Sequence, residues 1–531
     1  MASLRSSGTE STARRVGRRR FLAGALALGG SSLAPAPIRR AGAQPRLAAP
    51  PFTLGVASGY PSPNGVVLWT RLAPTPSAPG GGMPPDAISV EWEVATDDRM
   101  SQVVRRGVAS ATPAWAHAVH VEVDQLEPAR WYWYRFRVGG EVSGIGRTRT
   151  APAANADSDR LRFAFASCQQ YEQGYFVAYR HMLKDDLDLI IHVGDYIYES
   201  SWGANLVRAH GAPEPKTLDE YRIRHALYKS DPDLQAAHAT YPWLCTWDDH
   251  EVQNDYANDR SEYLDPPERF LQRRAAAYRA YYEHMPLPSQ MVPQGPNMRI
   301  YTRVGFGRLA DIILVDDRQH RSHQPCAAPG RGGANVVEDC QERLDPRITM
   351  FGDQQERWLM DGLGHSTARW NVIAQQTLMA QLDRKPGPGQ KFWTDGWDGY
   401  PAARRRLLEY IGQRKPANPV VLGGDVHSFW VTDLKPDFDD PRSPVVATEF
   451  VGTSITSQFR RPQAEVDALL ADNPHIRLGN GTRRGYVRME ITRERLRADL
   501  RTVRNVTRPT AEVDTLATFV VEDGRPGAIR A

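Results

Sequence analysis

Three apolar runs in this chain stop on residues that bind metals. Residues 161–168 read Leu-Arg-Phe-Ala-Phe-Ala-Ser-Cys and end at Cys168. Residues 187–199 read Leu-Asp-Leu-Ile-Ile-His-Val-Gly-Asp-Tyr-Ile-Tyr-Glu and close on Gly194-Asp195-x-x-Tyr198. Residues 419–427 read Pro-Val-Val-Leu-Gly-Gly-Asp-Val-His and close on Asp425-x-His427. Short apolar runs rich in β-branched residues and punctuated by Gly or Pro read as buried strands. In an open α/β sheet, ligand-binding groups gather just outside the carboxyl ends of the strands. A fold that collects these three ends therefore collects thiol, phenol, carboxyl and imidazole donors at one edge.

A fourth stretch belongs with them. Residues 247–256, Trp-Asp-Asp-His-Glu-Val-Gln-Asn-Asp-Tyr, hold four carboxylates, the His250 imidazole and the Asn254 carboxamide, with no Lys or Arg. Read alone, the stretch is equally an acidic, capped helix start, since charge runs are often merely solvated. Clustered carboxylates near aromatics repel one another unless a cation sits between them. Three strand ends carrying metal-type donors tip the reading toward a metal site.

The charge balance separates a leader from a body. Residues 1–43 hold eight Arg against one Glu, a net +7, so residues 44–531 carry −3 of the chain's formal +4. The body offers no basic case for nucleic acid or an anionic membrane. The leader reads as a signal over 1–43. Arg18-Arg19-Arg20-Phe21-Leu22 is a twin-arginine pattern, a short Gly/Ala-rich apolar run comes next, and Ala41-Gly42-Ala43 offers a cleavage site. Export by the twin-arginine machinery to the periplasm or beyond is the expectation. No later stretch approaches eighteen consecutive apolar residues, so the mature protein should have no transmembrane segment.

At 531 residues the chain has room for two or three domains. Residues 52–150 show short alternating runs between Pro and Gly turns, at 66–70, 88–94, 118–123 and 131–138, and read as a small β-sandwich. The stretch Leu126-x-Pro128-x-x-x-Tyr132-x-Tyr134 resembles the fibronectin type III pattern, in which a strand-edge Tyr bonds back to the chain. Residues 151–159 read as a linker. Residues 160–525 are the expected catalytic domain: strands and helices alternate, with helical patterns at 175–183, 216–240, 266–284, 353–363 and 402–411 and strands at 309–315 and 370–374. Cys326 and Cys340, 14 apart in a Gly/Pro-rich loop, read as a disulfide in an exported protein. Cys245, among apolar residues, reads as a packed thiol.

Taken together, Cys168, Gly194-Asp195-x-x-Tyr198, Asp249-His250-Glu251 and Asp425-x-His427 resemble the metallophosphoesterase superfamily. Within it the chain looks like the PhoD-type alkaline phosphatases, and the likeness covers nearly its whole length. That resemblance implies an α/β fold: a metallophosphoesterase-type β-sandwich flanked by helices, preceded by a small fibronectin-III-like all-β domain. The chain departs from the general superfamily pattern where Cys168 replaces an Asp and His pair, where Asp249 replaces an Asn, and where Asp425 replaces a His. It also lacks a convincing counterpart of the superfamily's isolated middle histidine, for which His365 is a poor candidate.

The resemblance implies iron(III) paired with calcium, and the residue types point to a mixed site. Thiolate, phenolate and imidazole from Cys168, Tyr198 and His427 suit a redox-capable transition metal. The carboxylates of Asp249 and Asp425 and the Asn254 carbonyl are hard oxygen donors that suit calcium. Asp195 stands where the superfamily's bridging carboxylate stands. The implied activity is hydrolysis of small phosphate mono- or diesters: two cations clamp phosphate oxygens and lower the pKa of water from about 15.7 toward ~7. His250 is the candidate for stabilising the transition state or protonating the leaving group. A phospholipase-D-like diesterase on the same scaffold would need an apolar rim. A non-catalytic, calcium-stabilised module would leave Cys168 and Tyr198 unexplained. Arg222, Arg224 and Arg318 are candidate phosphate clamps.

Overall fold

The computed structural model describes residues 49–531; the twin-arginine segment expected over 1–43 lies outside them. Two sheets supply the frame. In one, ten strands run in the order Arg525–Arg530, Val513–Glu522, Arg495–Val503, Arg484–Thr492, Arg160–Ala166, Leu189–His192, Pro242–Cys245, Val56–Ser62, Gly65–Arg71 and Ala118–Val123. In the other, seven strands run in the order Thr302–Phe306, Ala310–Leu314, Trp370–Ala374, Pro419–Gly423, Ala447–Val451, Phe429–Leu434 and Ile476–Asn480. The strands expected from the apolar runs all form.

Both sheets are parallel at their centres. Arg160–Ala166, Leu189–His192 and Pro242–Cys245 run side by side, as do Ala310–Leu314, Trp370–Ala374, Pro419–Gly423 and Ala447–Val451. Parallel strands are buried on both faces, which is why these segments read as continuous apolar runs. Phe163, Phe165 and Ile191 of one sheet share a core with Val372, Leu422 and Phe450 of the other. Leu359, Leu407 and Ile411, from the helices Gly352–Gly364 and Pro401–Arg414, pack on the far side of the second sheet. A parallel bridge between Ser167 and Ser454 joins the two sheets at the ends of their central strands.

The region expected to be helical over 216–240 is two helices, Leu218–Lys229 and Pro232–Thr240. Thr217 and Glu220 form a capping box on the first. Asp231 caps the second, accepting from the N–H groups of Asp233 and Leu234, with Pro232 in the first turn. A Pro tolerated at a helix start ends whatever precedes it, which explains the break.

Strands Ile88–Ala95, Val103–Ala111, Trp131–Val138, Glu141–Val142 and Gly146–Arg149 make a separate sheet over a core of Val90, Tyr132, Tyr134 and Phe136. Its facing layer consists of Val56–Ser62, Gly65–Arg71 and Ala118–Val123, and that layer runs on into the ten-stranded sheet, where Ser58 and Gly59 pair with Pro242 and Trp243. The Tyr132 hydroxyl accepts from the Glu127 N–H at 2.8 Å, the back-bond expected of a strand-edge Tyr. Cys326 and Cys340 are disulfide-bonded, and Cys245 is a buried free thiol.

Candidate metal centre and its cleft

The strand ends converge. Cys168 lies just past Arg160–Ala166, Asp195 past Leu189–His192, the 247–256 segment past Pro242–Cys245, and Asp425 and His427 past Pro419–Gly423. Four of these residues leave their strands in the left-handed region: Cys168 at φ 59°, Asp195 at 57°, Asp425 at 63° and His427 at 55°. Each such non-glycine residue costs on the order of 1–2 kcal/mol. The surrounding structure over-determines them, as backbone bonds from Cys168 N–H to Gly194 O and from Gln169 N–H to Asp195 O illustrate. The 247–256 segment is a series of turns and not a helix, so its carboxylates turn inward.

Three groups of donor atoms lie within 4.8 Å of one another: Cys168, Asp195 and His427; Asp195, Asp249 and His250; Asp248, Asp249 and Asp425. Asp195 belongs to two of them and Asp249 to two. The Tyr198 hydroxyl donates to Asp195 Oδ2 at 2.7 Å, lies 3.1 Å from His427 Nε2 and accepts from Ser457 at 2.8 Å. Six of the seven residues expected to ligate are thus gathered in one place, and Asn254 lines the cleft.

The donor set fits cations. Asp195 Oδ1, Asp248 Oδ2 and Asp425 Oδ2 are buried with no protein partner. Burial, together with neighbouring carboxylates, pushes Asp195 and Asp248 well above the usual carboxylate range, and burial raises Asp425 to about 6. Burial likewise raises the Cys168 thiol and the Tyr198 phenol and lowers His427 to about 3. Packed carboxyls stay ionised together only beside positive charge.

Part of that charge is Arg318, which is wholly buried. Its Nε donates to Asp248 Oδ1 at 2.5 Å and its Nη1 to Asp395 Oδ2 at 2.7 Å, while Nη2 lies 3.9 Å from Asp249 and 3.7 Å from Asp425. Arg318 therefore neutralises the acidic floor and is not among the residues that line the cleft. Arg222 is paired with Glu283 and Asp219, and Arg224 donates to the carbonyls of Tyr198, Glu199, Ala212 and Pro213. Neither lines the cleft. His365 caps a helix on the exposed surface and takes no part.

Glu199, which the sequence motifs do not single out, accepts from His250 Nδ1 at 2.6 Å. Burial opposes a charge on His250, but Glu199, Asp249 and Asp195 outweigh it and hold the imidazole pKa well above its ordinary value. With Nδ1 committed to Glu199, Nε2 is the free ring nitrogen. Glu251, which the Asp249-His250-Glu251 motif contains without giving it a role, is a second organiser: it accepts from the N–H groups of Asp195, Tyr196 and Asp248, at 3.1, 2.6 and 2.8 Å. Its place beside His250, and that of Glu199 beside Tyr198, are the only signals the sequence carries for either.

The centre forms the floor of a cleft of about 760 Å³. Glu199, Glu214 and Glu262 line it along with Trp202, Trp393, Trp430 and Phe459, and with Arg331, Arg384, Arg460 and Arg461. Trp202 stacks on His427 with ring centres 5.5 Å apart and planes within 6°.

The chain resembles known proteins over nearly its whole length. The family model described as PhoD-like phosphatase matches residues 163–500, and that of its N-terminal domain matches residues 37–152. Alkaline phosphatase D of Bacillus subtilis (strain 168) is 47% identical over 524 residues, covering 96% of this chain and 88% of the relative. A solved structure titled "Structure of PhoD" superposes with a TM-score of 0.87 at 46% identity, covering 92% of this chain and 93% of the other.

Proposed function

Because the chain belongs to the PhoD-like phosphatase family and is a hydrolase of phosphoric esters, we propose that the cleft hydrolyses phosphate mono- or diesters at a mixed iron(III)–calcium centre. Cys168, Asp195, Tyr198 and His427 would hold the iron; Asp195, Asp249, Asn254 and Asp425 would hold calcium. When bound, these cations supply charge to clamp phosphate oxygens and to lower the pKa of water from about 15.7 toward ~7. The observation that carries the reading is Asp195, a buried carboxylate shared by two donor groups with one oxygen free of any protein partner.

The chain's own residues do the rest. Glu199 fixes the His250 ring and stabilises its charged form, so Nε2–H can be donated to the departing alkoxide. A positioned general acid contributes typically about 10²–10⁴-fold. Glu251, accepting three backbone N–H groups, locks the Asp195 and Asp248 turns against each other. Arg318 keeps Asp248 and Asp249 in place from beneath. Export by the twin-arginine route, as the Arg18-Arg19 leader implies, would deliver the folded protein beyond the cytoplasm. Among the described residues no helix is long and apolar enough to cross a membrane. The apolar cleft residues Leu382, Val426, Phe459, Val466 and Leu469 favour one second reading, a phospholipid diesterase.

A panel of p-nitrophenyl phosphate, bis-p-nitrophenyl phosphate and phosphatidylcholine, run on the purified holo-protein, separates these activities. Asp195→Asn should bring turnover to near background in protein that still folds, and EGTA should abolish turnover until calcium is restored. A colourless protein holding two zinc ions and indifferent to EGTA would refute the metal assignment.

A further inference from the structure

The floor of the cleft is acidic, yet one wall carries arginines that form no ion pair. Of the four arginines lining the cleft, Arg331 is paired with Glu262. Arg384, Arg460 and Arg461 make no ion pair and no side-chain hydrogen bond among the described residues. Arg384 is half-buried and its Nε is fully shielded without a partner. Arg461 stands near enough to depress the Arg384 guanidinium, which burial first, and Arg461 second, bring down to about 10. Buried or repelling guanidiniums without carboxylates are expensive, and structures normally pair them. A site that leaves them unpaired is arranged to receive an anion.

Their position ties them to the reaction. Arg384 lines the same cleft as Asp425 and His427, and Asp398 and, less strongly, Asp425 favour its charge. Arg460 and Arg461 come directly after Gln458-Phe459, and the Gln458 carbonyl accepts from His427 Nδ1 at 3.0 Å. Aromatic surface lies alongside: Arg384 sits 5.1 Å from the centre of the Trp393 ring and Arg460 sits 5.0 Å from that of Trp202. Rings beneath a guanidinium hold it in plane and leave its fork free for oxygen atoms.

We propose that Arg384 and Arg461 form a second anion subsite in the cleft, which binds a second phosphate carried by the alcohol portion of the ester. The preferred substrates are then esters bearing two phosphate groups, one at the metal centre and the other on this wall. The proposal rests on the phosphoesterase reading of the centre, and it adds a determinant of specificity that the centre does not contain.

Binding tests it without relying on turnover. Titration calorimetry of the holo-protein compares propane-1,3-bisphosphonate with propylphosphonate, neither of which can be hydrolysed. In the parent protein the bisphosphonate should bind about tenfold more tightly or better, since its second phosphonate adds hydrogen bonds between charged groups. That advantage should collapse in Arg384→Gln and shrink in Arg461→Gln, and should weaken with added salt. Arg461→Gln, at a more open position, keeps the test decisive if Arg384→Gln folds poorly. Equal affinity for the two ligands in the parent, or an advantage that survives in Arg461→Gln and Arg384→Gln alike, overturns the proposal. If the bisphosphonate keeps its advantage but esters bearing two phosphates are hydrolysed no faster than esters bearing one, the substrate preference is overturned; failure to hydrolyse either kind of ester would instead refute the phosphoesterase reading.

Discussion

Replacing Gly194 with Ala should damage the centre without touching any donor atom. Gly194 sits at φ +112°, where an L side chain is strained, and a Cβ built there would lie 2.4 Å from Asp248 Cβ and 2.6 Å from its backbone nitrogen. Carbon atoms in contact prefer about 3.5–4.0 Å, so one of the two turns must move by about 1 Å. The strained backbone costs about 1–3 kcal/mol and the overlap about 1–3 more, roughly 2–6 together. Both moving partners matter, because Gly194 precedes Asp195 and Asp248 precedes Asp249. A displacement of about 1 Å at a reacting centre costs on the order of 10² in rate. The expected result is a lower denaturation midpoint, less metal bound per chain and a fall in kcat/KM of about a hundredfold. Gly211→Ala is the control: φ is +69° there but nothing lies within 4 Å of the added carbon, so only the backbone term, about 1 kcal/mol, should appear. Gly194→Ala protein with an unchanged midpoint and turnover close to that of the parent would refute the close-packing argument.

Three other outcomes are expected. Tyr198→Phe removes the phenol that bonds Asp195 and Ser457 while keeping the ring, so a visible charge-transfer band in the purified parent should shift or vanish; an unaltered band excludes Tyr198 from the iron. Peptide mapping of the non-reduced protein should recover Cys326 linked to Cys340, and replacing both with Ser should lower stability by roughly 3 kcal/mol, the entropy of closing a loop of about 15 residues. Replacing Arg18 and Arg19 together with Lys should hold the precursor in the cytoplasm, because the export receptor reads guanidinium pairs and not charge alone; normal secretion would rule that route out.

The strand framework and the donors at its ends are already legible in the order of the amino acids. Parallel central strands are buried on both faces, so 161–166, 187–193 and 419–423 betray themselves as unbroken apolar runs, and the polar residues just beyond each run must lie at the sheet's edge. Cys168, Asp195, Tyr198, Asp425 and His427 are legible for that reason. The acidic 247–256 stretch is legible from composition, although its turn conformation is not. The rest depends on partners far apart in the chain and emerges only once the strands are assembled. Arg318 has the look of a phosphate clamp until Asp248 and Asp395, 70 and 77 residues away, enclose it. Glu199 becomes the partner of His250 across 51 residues, and Val56–Ser62, remote from every motif, joins the central sheet through Pro242 and Trp243. Local pattern records which face a residue buries. Which distant charge meets it there is settled by how the strands cross, and that chooses which arginines are neutralised and leaves Arg384 and Arg461 facing the cleft unpaired.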